Sequence, residues 1–274
     1  MTATFHLSPP VFAILGALIE ERTGIHYEPR DRDLLGDKVA ARALDAGFES
    51  ALDYYYFLRY DPGGRVEFDC LVDSLVINET YFYREADSLR AVLDVLLRPL
   101  IAKGGRPRVW CAACSTGEEP LTLAMMLADA SLLSTTEIIA SDISERALAR
   151  AREGDYRPRS LRALPAGVGE RWFVVDGERT RLRGNLREAI DWRRINLVDP
   201  GSVATLGTFD VIVCRNVLIY FAVATVVSVV RSMASALEPG GHILVGASES
   251  LMRFGTLLEC QERGGAFFYT RSSP

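Results

Sequence analysis

The sequence has no apolar run long enough for a membrane span. The longest, Ala222 to Val230, is interrupted by Thr225 and Ser228 and is far shorter than the roughly 20 residues that a spanning helix requires. The first twelve residues also lack a basic start and a small-residue cleavage site, so we expect no secretory signal. These absences predict a cytoplasmic protein that does not insert into a membrane.

Cysteines are too few and too scattered for a disulfide framework. There are five in 274 residues, and an odd count in a chain of this size favours reduced thiols. Cys111 and Cys114 form a C-x-x-C pair, but no second cysteine pair and no histidine lies at ligand spacing. A zinc or redox site is therefore not expected, and we predict that no metal is bound.

A basic excess is missing as well. The formal net charge is −5, which provides no electrostatic footprint for nucleic acid. Residues 1 to 72 hold 7 Lys or Arg against 12 Asp or Glu. The net charge of this segment, 7 − 12 = −5, therefore equals the net charge of the whole chain. With 49% hydrophobic residues, the chain can bury a large core, and its length fits one large domain or one small and one medium domain. We expect a monomer.

Apolar periodicity divides the chain in two. Up to about residue 97 the apolar residues are spaced as in short amphipathic helices. After the polar break Lys103 to Pro107, apolar strands alternate with helices, which is typical of a parallel α/β sheet. We therefore predict a helical domain over residues 1–97 and an α/β domain over residues 98–274.

Within the second domain the pattern predicts individual elements. Strands are expected at Val109 to Ala113, Ile138 to Ser141, Val211 to Cys214 and His242 to Val245. Helices are expected at Glu118 to Ala130, Glu145 to Glu153 and Ala222 to Leu237. Two β-hairpins are predicted, one in an insert over residues 171–194 and one formed by Leu257 to Cys260 and Ala266 to Thr270.

The segment from Val109 to Pro120 reads as a strand, a turn of small residues and a helix start. Small side chains let a cofactor approach the backbone, and the helix start presents free N–H groups. Neither G-x-G-x-x-G nor a P-loop is present, so a dinucleotide or a nucleoside triphosphate is disfavoured. Glu118 and Glu119 in the first helical turn could serve a ligand or simply favour the helix dipole.

Polar residues follow two further strands. Asp142 stands 25 residues after Gly117, where an acidic side chain can bond ribose hydroxyls or cap the next helix. Arg215 and Asn216 follow the buried strand that ends at Cys214, at the sheet edge where α/β proteins bind ligands. Tyr220 would face the same side as Asn216 if a helical turn follows.

The segment Asn78 to Glu85 concentrates aromatic and charged side chains in eight residues before the α/β domain. It could be a solvated surface helix. Together with three later segments, however, it resembles the CheR-type chemotaxis receptor methyltransferases, in the same order and over the whole chain. The four segments are Asn78 to Glu85, Ala113 to Pro120, Cys214 to Phe221 and Pro239 to Ser250.

The resemblance implies a fold and a chemistry. The expected fold is α/β: a Rossmann-like class I methyltransferase domain dependent on S-adenosylmethionine (SAM), with a small N-terminal all-α domain and an inserted β-hairpin subdomain. The expected reaction esterifies glutamate side chains on chemoreceptors and releases S-adenosylhomocysteine (SAH). The alternatives are a methyltransferase of the same fold acting on another protein carboxylate or a small molecule, and a regulatory module that senses SAM or SAH without turnover.

The resemblance also implies residue roles. Arg84 and Tyr220 would orient the substrate around the transferred methyl group. Glu118 would pair with the methionyl ammonium, with Glu119 as the alternative, and Asp142 would bind the ribose. The other implied cofactor contacts are Asn78, Thr80, Arg84, Asn196, Leu197, Arg215 and Asn216.

Two departures from the family pattern concern the receptor. The turn from Val175 to Thr180 in the insert looks shorter than the glycine-containing loop of family members that grip a tethering peptide on the receptor tail, so we predict that no tether is used. Family N-terminal domains often carry a basic helix, whereas residues 1 to 72 are net acidic here. A modest cluster remains at Arg30, Arg32, Lys38 and Arg42.

Overall fold

The computed structural model describes residues 7–177, 179–255 and 258–271. The amino-terminal residues 1–6, for which no secretory signal is expected, lie outside them. Contacts divide the chain into one unit of residues 1–77 with 220–222 and a second of residues 78–219 with 223–274. No helix in the described ranges combines the length and the apolar character that a membrane crossing would need.

The first unit is helical. A left-handed Gly24 ends its first helix, and the Ser50 hydroxyl caps the third by accepting a hydrogen bond from the Asp53 amide. Between the helices, Arg42 donates two hydrogen bonds of 2.6 and 2.7 Å to the carboxylate of Glu67. The helices are α1 (Pro9–Thr23), α2 (Arg32–Asp45), α3 (Ala51–Tyr60) and α4 (Gly64–Leu75).

The second unit alternates strands and helices. Its strands are β1 (Arg108–Ala112), β2 (Glu137–Asp142), β3 (Asp155–Tyr156), β4 (Phe173–Asp176), β5 (Arg179–Leu182), β6 (Ile190–Arg194), β7 (Phe209–Cys214), β8 (Leu237–Val245), β9 (Leu258–Arg263) and β10 (Ala266–Arg271). Its helices are α5 (Ala86–Ala91), which a π-helical stretch (Val92–Leu97) joins to α6 (Arg98–Ala102), then α7 (Glu118–Asp129), α8 (Glu145–Glu153), α9 (Val168–Trp172), α10 (Pro200–Ala204) and α11 (Val223–Ser235).

Seven strands form one sheet in the order β6-β2-β1-β7-β8-β10-β9. The first five run parallel, and β10 and β9 are antiparallel to their neighbours. The central strands are almost wholly buried, as parallel strands covered on both faces must be. The predicted α/β class is confirmed. The strands and helices predicted between Val109 and Val245 lie within two residues of their predicted positions, except that β8 begins at Leu237, five residues before its predicted start.

A smaller sheet of three strands, in the order β3-β5-β4, contains the predicted insert hairpin. It differs from the predicted insert in two ways, because β3 precedes residue 171 and β6 pairs with β2 in the large sheet. Glu178 in the hairpin turn lies outside the described residues. The C-terminal hairpin is present as β9 and β10, although Leu257 of its predicted start is not among the described residues.

The segment from Asn78 to Glu85 belongs to the second unit, so the division falls earlier than the linker predicted near residue 98. The reason is packing. Phe82 is fully buried with its ring centroid 4.7 Å from that of Tyr156 and 5.1 Å from that of Phe173. Apolar residues of α5 and the π-helical stretch share a core with the central strands of the sheet.

Candidate active site

The candidate residues of the second unit collect at one edge of the large sheet. Those that come after a strand follow the carboxyl ends of β1, β2, β6 and β7, and chain order reverses at β1, which lies between β2 and β7. Open α/β sheets bind their ligands outside such a switch point, because the loops diverge there and leave a crevice. The fold therefore predicts that a ligand binds at this edge of the large sheet.

The turn between β1 and α7 is tightly constrained. Ala113 and Ser115 have φ angles of 54° and 50°, and Gly117 has a φ of 89°. A Cβ on Gly117 would approach the Cβ of Ala151 to 2.7 Å and the Trp192 ring to 2.9 Å. Glycine is therefore required at this position both for the backbone conformation and for the close packing.

Asp142 fixes this turn to the end of β2. One carboxylate oxygen accepts a 2.8 Å hydrogen bond from the Ser115 amide, and the other accepts a 2.9 Å bond from the Ser144 amide. Ser144 is itself the cap of α8, since its hydroxyl accepts from the Ala147 amide. The capping alternative for Asp142 is thus wrong, and each carboxylate oxygen has more than one lone pair with which to accept hydrogen bonds.

Glu118 is a buried carboxylate at the start of α7. Its side chain accepts hydrogen bonds of 2.6 Å from the Thr116 hydroxyl and 2.8 Å from the Ser160 hydroxyl, and the residue is 1% exposed. Burial raises the pKa of Glu118, and these hydrogen bonds partly offset the effect. A carboxylate held by neutral hydroxyls in a buried site is suited to a cationic ligand group.

Arg215 lies between two carboxylates. Its side chain is 1% exposed, with Nη1 3.4 Å from Glu119 and Nη2 3.5 Å from Glu85. Nη2 also donates a 2.7 Å hydrogen bond to the Arg84 carbonyl. Within the described part of the chain, Nε and Nη1 have no hydrogen-bond acceptor. Arg215 therefore connects the Asn78–Glu85 segment to α7 and keeps two buried donors for another acceptor.

Glu249 was not singled out as a site residue by sequence reasoning, although it lies in the fourth motif segment. It is 1% exposed, and its carboxylate accepts hydrogen bonds from the backbone amides of Asn216 at 2.5 Å, Leu218 at 2.7 Å, Ile219 at 3.3 Å and Gly246 at 2.9 Å. Asn216 has a φ of 60°. One carboxylate thus holds the loop after β7 in a conformation that few side chains adopt.

The Asn78–Glu85 segment contacts the β1–α7 turn directly. The Asn78 amide oxygen accepts a 2.7 Å hydrogen bond from the Ser115 hydroxyl. Arg84 donates a 2.8 Å hydrogen bond from Nη1 to the Glu79 carbonyl, and Thr80 is half-buried. Tyr83 and Glu85 have φ angles of 61° and 48°, so the segment is a strained loop rather than the surface helix that was the alternative.

Three remaining candidates lie differently. Asn196 and Leu197 follow β6, whose end is tied to β2 by the Ile195 amide donating 3.1 Å to the Asp142 carbonyl; Leu197 is buried. Tyr220 belongs to the first unit, where its carbonyl accepts a 2.9 Å hydrogen bond from the His26 amide. The structure therefore brings together all candidates except Tyr220 in one unit.

This region holds two cysteines and several carboxylates, which are the kinds of side chain that metal and thiol sites use. No group of three or more His, Cys, Asp or Glu side chains in the described ranges could hold a metal ion. Cys111 and Cys114 are buried free thiols, and burial raises the pKa of both well above the ordinary value. A thiol that resists ionisation is a poor nucleophile and a poor redox partner.

Comparison with known proteins defines the class. Residues 78–263 match the family model described as the SAM-binding domain of CheR methyltransferases. The chain is therefore a SAM-dependent methyltransferase, with the Rossmann-like class I fold that the large sheet displays.

Curated relatives extend the match into the first unit. Chemotaxis protein methyltransferase 2 of Vibrio cholerae is 31% identical and covers 86% of this chain and 84% of its own. The Escherichia coli chemotaxis protein methyltransferase is 33% identical over 91% and 87%, and that of Vibrio parahaemolyticus is 39% identical over 66% and 67%. The chain belongs to the CheR methyltransferase family.

The residues at the sheet edge fit SAM. This cofactor carries a methionyl ammonium, a methionyl carboxylate and a ribose with two hydroxyls. Glu118 is a buried carboxylate whose charge would suit the ammonium, the Asp142 carboxylate could accept from hydroxyl groups, and Arg215 has buried donors without acceptors.

Replacing Glu249 by glutamine should weaken cofactor binding. The amide nitrogen of glutamine would point N–H groups at backbone N–H donors, and an unsatisfied buried donor costs about 1–3 kcal/mol. We expect the dissociation constant for SAH, measured by calorimetry, to rise about tenfold or more. Glu262→Gln on the exposed face of β9 is the matched control. A folded Glu249→Gln variant with unchanged affinity would contradict the role assigned to Glu249.

Glu119 should make stability depend on pH. Burial raises its pKa from 4.5 to about 7, with Arg215 opposing and Glu85 and Glu249 adding to the rise. Because the pKa is raised on folding, the folded state binds the Glu119 proton more tightly than the unfolded state does. The stability that protonated Glu119 contributes is therefore complete below about pH 4.5 and is lost as the pH rises through about 7.

The free energy of unfolding of Glu119→Gln should therefore increase relative to that of the unaltered protein between about pH 5 and pH 8, by an amount on the order of 3 kcal/mol. Urea titrations across this range measure the difference. Glu145→Gln, which changes an exposed carboxylate on α8, should show no such trend. Parallel curves for the unaltered protein and Glu119→Gln would exclude the titration of Glu119.

Proposed function

We propose that this protein transfers the methyl group of SAM to glutamate side chains on the cytoplasmic domain of a chemoreceptor, in chemotaxis adaptation. The observation that carries the proposal is the name shared by the curated relatives, chemotaxis protein methyltransferase, together with matches over 86% and 91% of the chain. We further propose that the protein acts as a monomer in the cytoplasm.

The chemistry needs little acid or base assistance. When bound, SAM would supply an electrophilic sulfonium methyl group, whose C–S bond would break as an O–C bond to a substrate carboxylate formed, giving a methyl ester and SAH. A free glutamate has a pKa near ~4.3 and is already ionised at neutral pH. The protein therefore contributes mainly by positioning the carboxylate and excluding water.

Arg84 is the proposed orienting cation. Its backbone is held at both ends, since its amide donates to the Tyr81 carbonyl and its carbonyl accepts from Arg215. Its guanidinium uses Nη1 for the Glu79 carbonyl, and a guanidinium has five N–H donors. The remaining donors suit a carboxylate near the sulfonium, whether it belongs to the substrate or to the methionyl group.

The other roles follow from the site chemistry and the family resemblance. Glu118 would pair with the methionyl ammonium and Asp142 with the ribose hydroxyls. Glu119 is the weaker candidate for the ammonium, because its carboxylate already faces Arg215 at 3.4 Å. Asn196 and Leu197 would border the adenine. Tyr220 would fix the approach of the substrate carboxylate, a role that rests on the resemblance alone.

The decisive test uses radiolabelled SAM and a chemoreceptor cytoplasmic fragment. We expect label in the fragment that mild base releases as methanol, because glutamate methyl esters are base-labile. Base-stable label would exclude the ester, and SAM binding without any label would favour a sensing module.

In the same assay Arg84→Ala should lower kcat/KM by about a hundredfold or more, since it removes a charge that acts on the reacting groups. Arg90→Ala is the matched control, because Arg90 is exposed on α5 and pairs with Asp87. Equal activity of the two variants would remove Arg84 from the mechanism.

We also propose that no receptor-tail tether is used. Asp176 at the end of β4 pairs with Arg179 at the start of β5, so only two residues connect the hairpin. Calorimetry with a peptide of the receptor's carboxyl terminus should detect no complex in the micromolar range. A micromolar complex would refute this proposal while leaving the methylation chemistry intact.

A further inference from the structure

Basic side chains of the second unit concentrate in one stretch. Residues 157 to 194 contain ten arginines and no lysine, against five Asp or Glu. This balance is the reverse of that in residues 1 to 72. An acidic protein substrate would therefore meet its strongest attraction in the second unit rather than in the acidic helical segment.

Two of these arginines lie beside Arg84. Arg159 and Arg162 both bind the carboxylate of Glu79, the latter at 2.9 Å. The guanidinium carbon of Arg162 is 3.8 Å from the centroid of the Tyr81 ring, and that of Arg84 is 5.8 Å from the same centroid. We call Arg159 and Arg162 the arginine pair. Glu79 contacts both of its side chains, and Tyr81 contacts Arg162.

The shared ring limits the separation of the two cations. Because both distances are measured to the Tyr81 centroid, the guanidinium carbons of Arg84 and Arg162 lie within about 10 Å of each other. Arg162 is also near enough to Glu118 to lower the pKa of that carboxyl against the effect of burial. The arginine pair therefore borders the residues proposed to bind SAM.

The charges of this group do not balance. Two arginines share one glutamate, so a net positive charge remains at the surface. The side chains of Arg159, Glu79 and Arg162 are 75%, 41% and 38% exposed, and exposed ion pairs contribute only about 0–1 kcal/mol. An incoming carboxylate can thus replace Glu79 on Arg159 at little cost.

Arginine suits this exchange better than lysine would. Its planar guanidinium can bind two carboxylates on different edges, and its stacking on Tyr81 fixes the orientation of Arg162. In the free enzyme Glu79 binds both arginines and so keeps their side chains ordered. The pair is a preformed carboxylate subsite near Arg84.

We propose that Arg159 and Arg162 bind a second acidic side chain of the protein substrate, located near the glutamate that is methylated. The proposal rests on the proposed function and deepens it, because it makes Arg159 a specificity-determining residue for acidic sequence around the methylation site. Selection arises in substrate binding and leaves the transfer step unchanged.

The test compares charge reversals in the full-length enzyme, with a chemoreceptor cytoplasmic fragment as substrate. Arg159→Glu should raise KM for the fragment about fivefold or more and leave KM for SAM within about twofold. Arg162→Ala should raise it less, since Arg159 remains. Arg193→Glu is the matched control, because Arg193 is 60% exposed on β6 and pairs with Asp191.

A reciprocal change adds a readout that loss of structure cannot mimic. We then replace the acidic residue next to the methylated glutamate by lysine. This change should lower the KM of Arg159→Glu toward the original value and should raise the KM of the unaltered enzyme. Unchanged KM values for both arginine variants would overturn the inference alone. Absence of any methylation by the unaltered enzyme would instead overturn the proposed function, and the inference with it.

Discussion

Unpaired backbone amides at the carboxyl end of the large sheet are the constraint on which the site depends. Loops that leave parallel strands lose the ladder partners of their N–H groups, and a buried N–H group without an acceptor is costly. Asp142 and Glu249 supply the acceptors, binding two and four amides respectively. The loops that surround the proposed cofactor site are therefore shaped by two carboxylates at the ends of β2 and β8.

Strain accompanies this arrangement. Among the described residues, six that are not glycine have positive φ, and five of them lie in the motif segments: Tyr83, Glu85, Ala113, Ser115 and Asn216. Such conformations persist only where the surroundings over-determine them. Here the determinants are the Thr122 hydroxyl, which accepts from the Tyr83 amide, and the carboxylates of Asp142 and Glu249.

Much of this was accessible from sequence. The central strands β1, β2 and β7 contain short apolar runs, and α8 begins and ends at its predicted residues, because local patterns determine such elements. The division between the units, the strand β3 and the role of Glu249 were not accessible. Each depends on contacts between residues far apart in the chain, such as Phe82 with Phe173 and Glu249 with Asn216, which no local periodicity encodes.

The burial of Phe82 among Tyr156 and Phe173 has a thermodynamic consequence. The segment that carries Asn78 and Arg84 is already ordered before any ligand arrives, since its centre is part of the core. The free energy of cofactor binding is then not reduced by the entropy of ordering these residues. Amides of this segment should exchange their hydrogens with solvent only through larger openings of the core, so that segment and sheet form one cooperative unit.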